Sequence, residues 1–160
     1  MEIKVLRIEV PQGLNVIIGQ AHFIKTIEDL YEILISSSPS IRFGIAFSEA
    51  SGACLVRVEG NDEELKRLAA DTSLKISAGH SFVIFLGDGY PINVLNQIKA
   101  CQEVCRIFCA TANPLSLILV ETEEGNGILG VVDGSRPKGV EGEEEKRKRR
   151  ELLRSLRYKL

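Results

Sequence analysis

Apolar residues recur along this chain in two rhythms, every second position or every third and fourth, and the switches between them mark the elements. Residues 3–10 alternate, with Leu6, Ile8 and Val10 on one face, and Pro11-Gln12-Gly13 ends the strand. Residues 15–19 form a second short strand. Ile27, Leu30, Tyr31 and Leu34 then fall at helical spacing, with Thr26 placed as N-cap, Asp29 three residues on and Ser36-Ser37-Ser38-Pro39 as the stop. Strand character returns in 42–47 and in 53–59, where Cys54, Val56 and Val58 share a face, and the short connection 48–52 predicts a hairpin. Asn61 is placed to cap a helix that turns Leu65, Leu68 and Ala69 inward.

The longest unbroken apolar run, Phe82-Val83-Ile84-Phe85-Leu86, reads as a strand buried on both faces. Pro91 suits the first turn of the next helix, where its missing N–H would be unpaired anyway, and Ile92, Leu95 and Ile98 give that helix a buried side. Strands follow at 104–110, 115–122 and 128–132, the last two joined through the hairpin signal Asn126-Gly127. Strand–helix–strand units normally run their strands parallel. That sets 15–19 with 42–47, and 53–59 with 80–86 and 104–110 in the opposite sense. The expected fold is α/β: a single domain over residues 1–140, with a mixed β-sheet of about eight strands and three covering helices, plus a charged C-terminal helix in residues 141–160.

At 160 residues with 44% hydrophobic and 26% charged, the chain can bury a core without disulfides. Met1-Glu2-Ile3-Lys4 lacks the pattern of a signal peptide, and no apolar run approaches the roughly 20 residues of a membrane span. The expectation is a cytoplasmic chain with no membrane partner. Cys54, Cys101, Cys105 and Cys109 contain no C-x-x-C pair, so they read as free, small buried residues, and no metal site is expected.

The strand directions sort the loops to two opposite edges of the sheet. One edge gathers His22, Lys25, Glu49, Ser51 and His80, along with the turn at 125–127. A histidine beside a carboxylate and a lysine suits a general base, a phosphoryl acceptor or an anion contact. The plain alternative is solvated charges and histidines that bond to their own loops. The other edge gathers Asp88 of Gly87-Asp88-Gly89, Asn93, Asn96, Thr111 and Asn113. A glycine-rich turn before a helix offers backbone N–H groups to a phosphate, and Asn93 and Asn96, one turn apart, suit a base or a ribose. Equally, these are the residues of ordinary turns and exposed helix faces. There is no full G-x-G-x-x-G fingerprint and no P-loop lysine, which excludes an ordinary nucleotide-binding motif. His80 and Asp88 stand about 26 Å apart on one strand, so a ligand that used both would lie between subunits.

Several blocks in order resemble a known family: Gly19-Gln20-Ala21-His22-Phe23-Ile24-Lys25-Thr26, Gly44-Ile45-Ala46-Phe47-Ser48-Glu49-Ala50-Ser51-Gly52, Ala78-Gly79-His80, Pro91-Ile92-Asn93-Val94-Leu95-Asn96, Arg106-Ile107-Phe108-Cys109-Ala110-Thr111-Ala112-Asn113-Pro114 and Gly130-Val131-Val132-Asp133-Gly134. The pattern is similar to that of the adenosine-specific kinase family of small archaeal and bacterial proteins, from residue 1 to about 135, with the tail outside it. The resemblance implies an oligomeric α/β protein that binds adenosine and AMP rather than ATP, and that carries a phosphorylatable histidine. His80 is the first choice for the phospho-acceptor and His22 the second, with Lys25 as an anion contact and Glu49 orienting an imidazole or a ribose hydroxyl. No phosphate cradle or magnesium-binding carboxylate set for ATP is evident. Two other readings compete with the enzyme: a non-catalytic sensor of nucleoside or AMP, and a structural oligomer without ligand.

The last twenty residues hold 5 acidic and 8 basic side chains, a net +3 that leaves −5 on residues 1–140. Acids before bases suit a helix dipole, and Leu153, Leu156 and Leu160 make a narrow apolar stripe. Docking on a neighbouring subunit fits this pattern better than binding nucleic acid.

Overall fold

The computed structural model describes all of residues 1–160. The elements follow as β1 (Glu2–Ile8), β2 (Asn15–Ala21), α1 (Thr26–Ser37), β3 (Arg42–Ser48), β4 (Val56–Gly60) and α2 (Glu63–Ile76). The second half adds β5 (Ser81–Gly87), α3 (Pro91–Ala100), β6 (Val104–Thr111), β7 (Leu115–Glu121), β8 (Asn126–Asp133) and α4 (Glu143–Ser155). No helix is long and apolar enough to cross a membrane.

The α/β class, the eight strands, the three covering helices and the charged C-terminal helix match expectation. The strands, however, divide between two sheets, one of five in the order β4-β3-β5-β2-β6 and one of three in the order β1-β7-β8. The directions deduced from the connections hold, yet every neighbouring pair is antiparallel, because strands of like direction alternate across the larger sheet. Its central strand, β5, is buried at all seven positions. One face, with Ile17, Phe43, Ile45, Phe47, Phe82 and Ile84, packs on α1 and α3 through Leu30, Leu34, Val94 and Ile98. The other, with Val16, Ile18, Ala46, Val83 and Phe85, packs on α2 and on Leu115, Leu117 and Leu119 of β7. β7 alternates buried and half-buried residues, so one of its faces serves the core and the other does not.

Several local expectations change. Thr26 is the first helical residue rather than the N-cap, and its hydroxyl donates to the Phe23 carbonyl. Asp62, not Asn61, caps α2 by accepting from the Leu65 N–H at 3.0 Å. Asn61 instead links strand to turn, accepting from Phe43 N–H and donating to the Ile41 carbonyl, both at 2.8 Å. The return strand begins at Val56, so Cys54 lies in the connecting turn, with φ 49°. Cys54 and Cys105 are exposed rather than buried. Two register shifts in the β2–β6 pairing break the alternation that would have kept Cys105 and Cys109 on one regular face.

Gly44 marks the closest approach of helix and sheet. A Cβ there would fall on the Leu65–Lys66 peptide of α2, and backbone cannot swing aside as a side chain can. Gly44→Ala is expected to cost about 1–3 kcal/mol through overpacking, read as a lower urea midpoint with little change in slope.

Candidate functional site

Both ends of β5 leave the common backbone regions: His80 has φ 59° and Asp88 has φ 55°. A side chain held in the left-handed region is uncommon and costs free energy unless its surroundings fix it. At His80 they do. Its N–H donates to the Ser48 carbonyl at 2.8 Å, its carbonyl accepts from Ala21 N–H at 2.9 Å, and its ring stacks on Phe47 with centroids 5.8 Å apart.

The β3–β5 register sets Phe47 opposite Phe82. Carried two residues further, it sets Glu49 opposite His80 across the strand ends. Arg57 of β4 lies opposite Phe47, and its Nη2 donates to Glu49 Oε2 at 2.6 Å. Arg57 Nε is buried without a hydrogen-bond partner, so this guanidinium has bonding capacity left unused. His80, Glu49 and Arg57 thus gather at one end of the central sheet, beside the stacking face of Phe47.

Arg57 lines one cavity with Ile24, Lys25 and Glu28, and Glu49 alone of the three lines another, of about 530 Å³. Ser48 and Glu49 line it from β3 and the turn that follows, Ser73 and Ser77 from the end of α2, Gly79 from the approach to β5, and Thr122, Glu124 and Asn126 from the β7–β8 hairpin. Ser48 and Ser73 share a buried hydrogen bond of 2.8 Å on its floor. Asn126 bolts the hairpin down, its N–H donating to the Ser77 carbonyl and its Nδ2 to the Ile76 carbonyl. The cavity has carboxylates and a helix C-terminus on its wall but no lysine or arginine, a setting for hydroxyl and amine donors rather than for a phosphate.

Lys25 is committed elsewhere. Its ammonium pairs with Asp29 and with the buried Glu103, 2.8 Å from Glu103 Oε1. Burial would raise the Glu103 pKa, but hydrogen bonds with Asp29, Lys25 and Cys101 prevail and hold it at about 2. The pairing with Asp29 and then with Glu103 raises the Lys25 pKa in turn. Asp29, Cys101 and Glu103 place their ligand atoms within 4.8 Å of one another, yet the ammonium supplies the positive charge there. Burial, with help from Glu103, lifts the Cys101 thiol to about 11, so it stays protonated at neutral pH. The cluster also positions His22, whose N–H donates to the Glu103 carbonyl at 3.1 Å. His22 is exposed on the same edge, and Ser51 is exposed at the tip of the β3–β4 turn.

The opposite edge is held by internal bonds. Arg42 joins Asp88 (2.6 Å) and Asp62 (2.9 Å). Asn93 accepts from Tyr90 N–H at 2.9 Å and so closes the start of α3. Thr111 Oγ1 and Asn113 Nδ2 both donate to Asp133 Oδ1, at 2.9 and 3.1 Å. Asn96 is exposed on α3. Apart from Asn96, each polar group expected to read a ligand here has a partner within the chain.

Sequence reasoning missed Arg57, Glu103 and Asp29. Arg57 was within reach, because the hairpin turns Val56 and Val58 to one face and so Arg57 to the other. Nothing local marks Glu103 for burial. Because Lys25 pairs with Asp29 and the buried Glu103, Lys25→Met is expected to lower the urea midpoint more than the same change at exposed Lys99. Stability gained from the Glu103 carboxylate, measured against Glu103→Gln, is full above its ordinary pKa of 4.5 and vanishes as pH falls through about 2.

Comparison with known proteins bears on all of this. The family model described as adenosine specific kinase matches residues 6–159. The crystal structure of the PH1918 protein from Pyrococcus horikoshii OT3 superposes with a TM-score of 0.94 at 48% identity, covering 99% of this chain and 98% of that one. No curated protein matches. The match runs through the tail, where the resemblance was expected to stop near 135. The superposition does so too, since it covers nearly the whole chain, tail included. The chain belongs to the adenosine-specific kinase family.

Proposed function

We propose that the protein binds adenosine and AMP at the His80 edge and passes a phosphoryl group between AMP and His80. The family supports an adenosine-related function. The observation that carries the finer reading is the left-handed His80, packed on Phe47 and in register with Glu49, which lines a cavity without cationic side chains. The nucleoside fills the cavity, with Glu49 and Glu124 available to its hydroxyls. The phosphate lies outside it, towards His80 and Arg57.

In the forward step an imidazole nitrogen of His80 attacks phosphorus, a P–N bond forms and the bond from phosphorus to the 5′-oxygen breaks. The proton released by the imidazole reaches that oxygen through the Glu49 carboxylate, leaving adenosine and phosphohistidine. The reverse step phosphorylates adenosine. Lys25, tied to Asp29 and Glu103, acts by holding the His22 loop rather than by touching phosphate. Asp88, Asn93, Asn96, Thr111, Asn113 and Ser51 remain candidates for a ligand that spans subunits, which fits the proposal that the protein is a homo-oligomer working in the cytoplasm. In that division residues 1–140 carry the site and residues 141–160 serve assembly.

Incubation with AMP labelled on phosphorus should give an acid-labile, base-stable protein label. His80→Ala should lower it at least about a hundredfold and Glu49→Gln by a similar order, while His22→Ala retains it. Full labelling of His80→Ala removes His80 from the role. Saturable AMP binding with no label in any variant favours the sensor, a reading consistent with a cavity suited to an uncharged nucleoside.

A further inference from the structure

Glu103 is the one charged side chain that this fold buries, with 2% of its surface exposed. A buried carboxylate is costly unless its lone pairs are matched. Oε2 accepts from the Cys101 thiol at 3.1 Å. Oε1 is buried without a well-directed hydrogen bond, since the Lys25 ammonium stands 2.8 Å away but poorly aligned. One oxygen of a deeply buried carboxylate is thus met by charge alone.

This carboxylate opens onto a cavity of about 480 Å³ between α1, α3 and the turn that follows α3. Asp29 and Glu32 line the cavity from α1, Gln97 from α3, and Cys101, Gln102 and Glu103 from the turn. No lysine or arginine lines it, and Lys25 lines the Arg57 cavity instead. Cys101 caps α3, so the negative end of that helix dipole adds to the three carboxylates. The Val104 N–H donates to the Cys101 carbonyl at 3.0 Å, which closes the turn and sets thiol and carboxylate side by side.

We infer that Asp29, Cys101 and Glu103 form a binding site for zinc or a similar thiophilic divalent cation, which takes the place of the Lys25 ammonium. The three ligand atoms already lie within 4.8 Å of one another. Tetrahedral zinc sets two oxygen ligands about 3.3 Å apart and sulfur about 3.5 Å from oxygen. Cys101 Sγ and Glu103 Oε2 are close to that already. A thiolate among the ligands selects zinc over magnesium and calcium, and the cavity leaves the fourth position to water. Cys101 binds as the thiolate and releases its proton to solvent. Two carboxylates and one ammonium sum to −1, and so do two carboxylates, a thiolate and a dication. The exchange therefore leaves the charge of the cluster unchanged. Lys25, with 42% of its side chain exposed, has a path to solvent. The ion ties the first turn of α1 to the turn after α3, and the Glu103 carbonyl there receives the His22 N–H.

The test is a titration of the chelator-treated full chain with zinc, and with cadmium for its thiolate-to-metal ultraviolet band. One ion per chain should bind, the band should appear, and zinc should raise the urea midpoint. Cys101→Ser should abolish the band and weaken binding at least about tenfold. Replacing the exposed thiols, Cys54→Ser with Cys105→Ser, should leave both unchanged. Asp29→Asn, at a half-buried position, should lower affinity by the same order even where Glu103→Gln fails to fold. Lys25→Met removes the competing ammonium and should bind zinc at least about tenfold more tightly, and zinc should restore the midpoint that this variant loses. Absence of stoichiometric binding overturns the site. A band that survives Cys101→Ser puts the metal on an exposed thiol, an adventitious ion only. Binding to Lys25→Met no tighter than to wild type overturns the exchange with Lys25.

Discussion

A strand with no face towards water must be covered twice, and β5 imposes that demand on everything around it. Phe82, Ile84 and Leu86 turn to one side, Val83 and Phe85 to the other, and each is worth about 1.5–3 kcal/mol when removed from water. Two helices meet the first side. The second needs more area than α2 alone provides, and β7 supplies the rest with Leu115, Leu117 and Leu119. The division into two sheets follows from this double burial. So does the gathering of polar groups at the sheet's two edges, because a strand buried along its whole length leaves them only at its ends.

Much of the fold was legible because periodicity and breakers agree. The run from Phe82 to Leu86, the Asn126-Gly127 hairpin and Pro91 at the start of α3 each carry a local signal that tertiary packing does not override. Even the relative strand directions follow from connection length. What the connections do not encode is which strands become neighbours. β2 and β3 run the same way but sit on opposite sides of β5, and that choice depends on faces that meet only once the chain has folded. Caps were misplaced by one residue where two candidates adjoin, as at Asn61 and Asp62, since either could accept from the helix start until the strand claims one of them.

The site was legible in outline. The sorting of loops by edge brought His80 and Glu49 together and kept Asp88 away, because it used only strand direction and length. The electrostatics were not legible. Lys25 looked available to an anion, yet a glutamate 78 residues later, with nothing in its flanking sequence to mark it, folds in beneath it and binds its charge. Ion pairs between distant segments leave no trace in periodicity, and they decide which charged residues are free to meet a ligand.

The hairpin that carries Asn126 belongs to the smaller sheet, while Gly79 and Ser48 on the facing wall belong to the larger one and its approach. The cavity between them is a joint between two sheets, closed by two hydrogen bonds from one side chain and its backbone to the end of α2. Anything that fills the joint must therefore also slow its opening, since occupancy and the parting of the sheets draw on the same free energy. A small molecule held there would register as stiffness between the layers without any element changing shape.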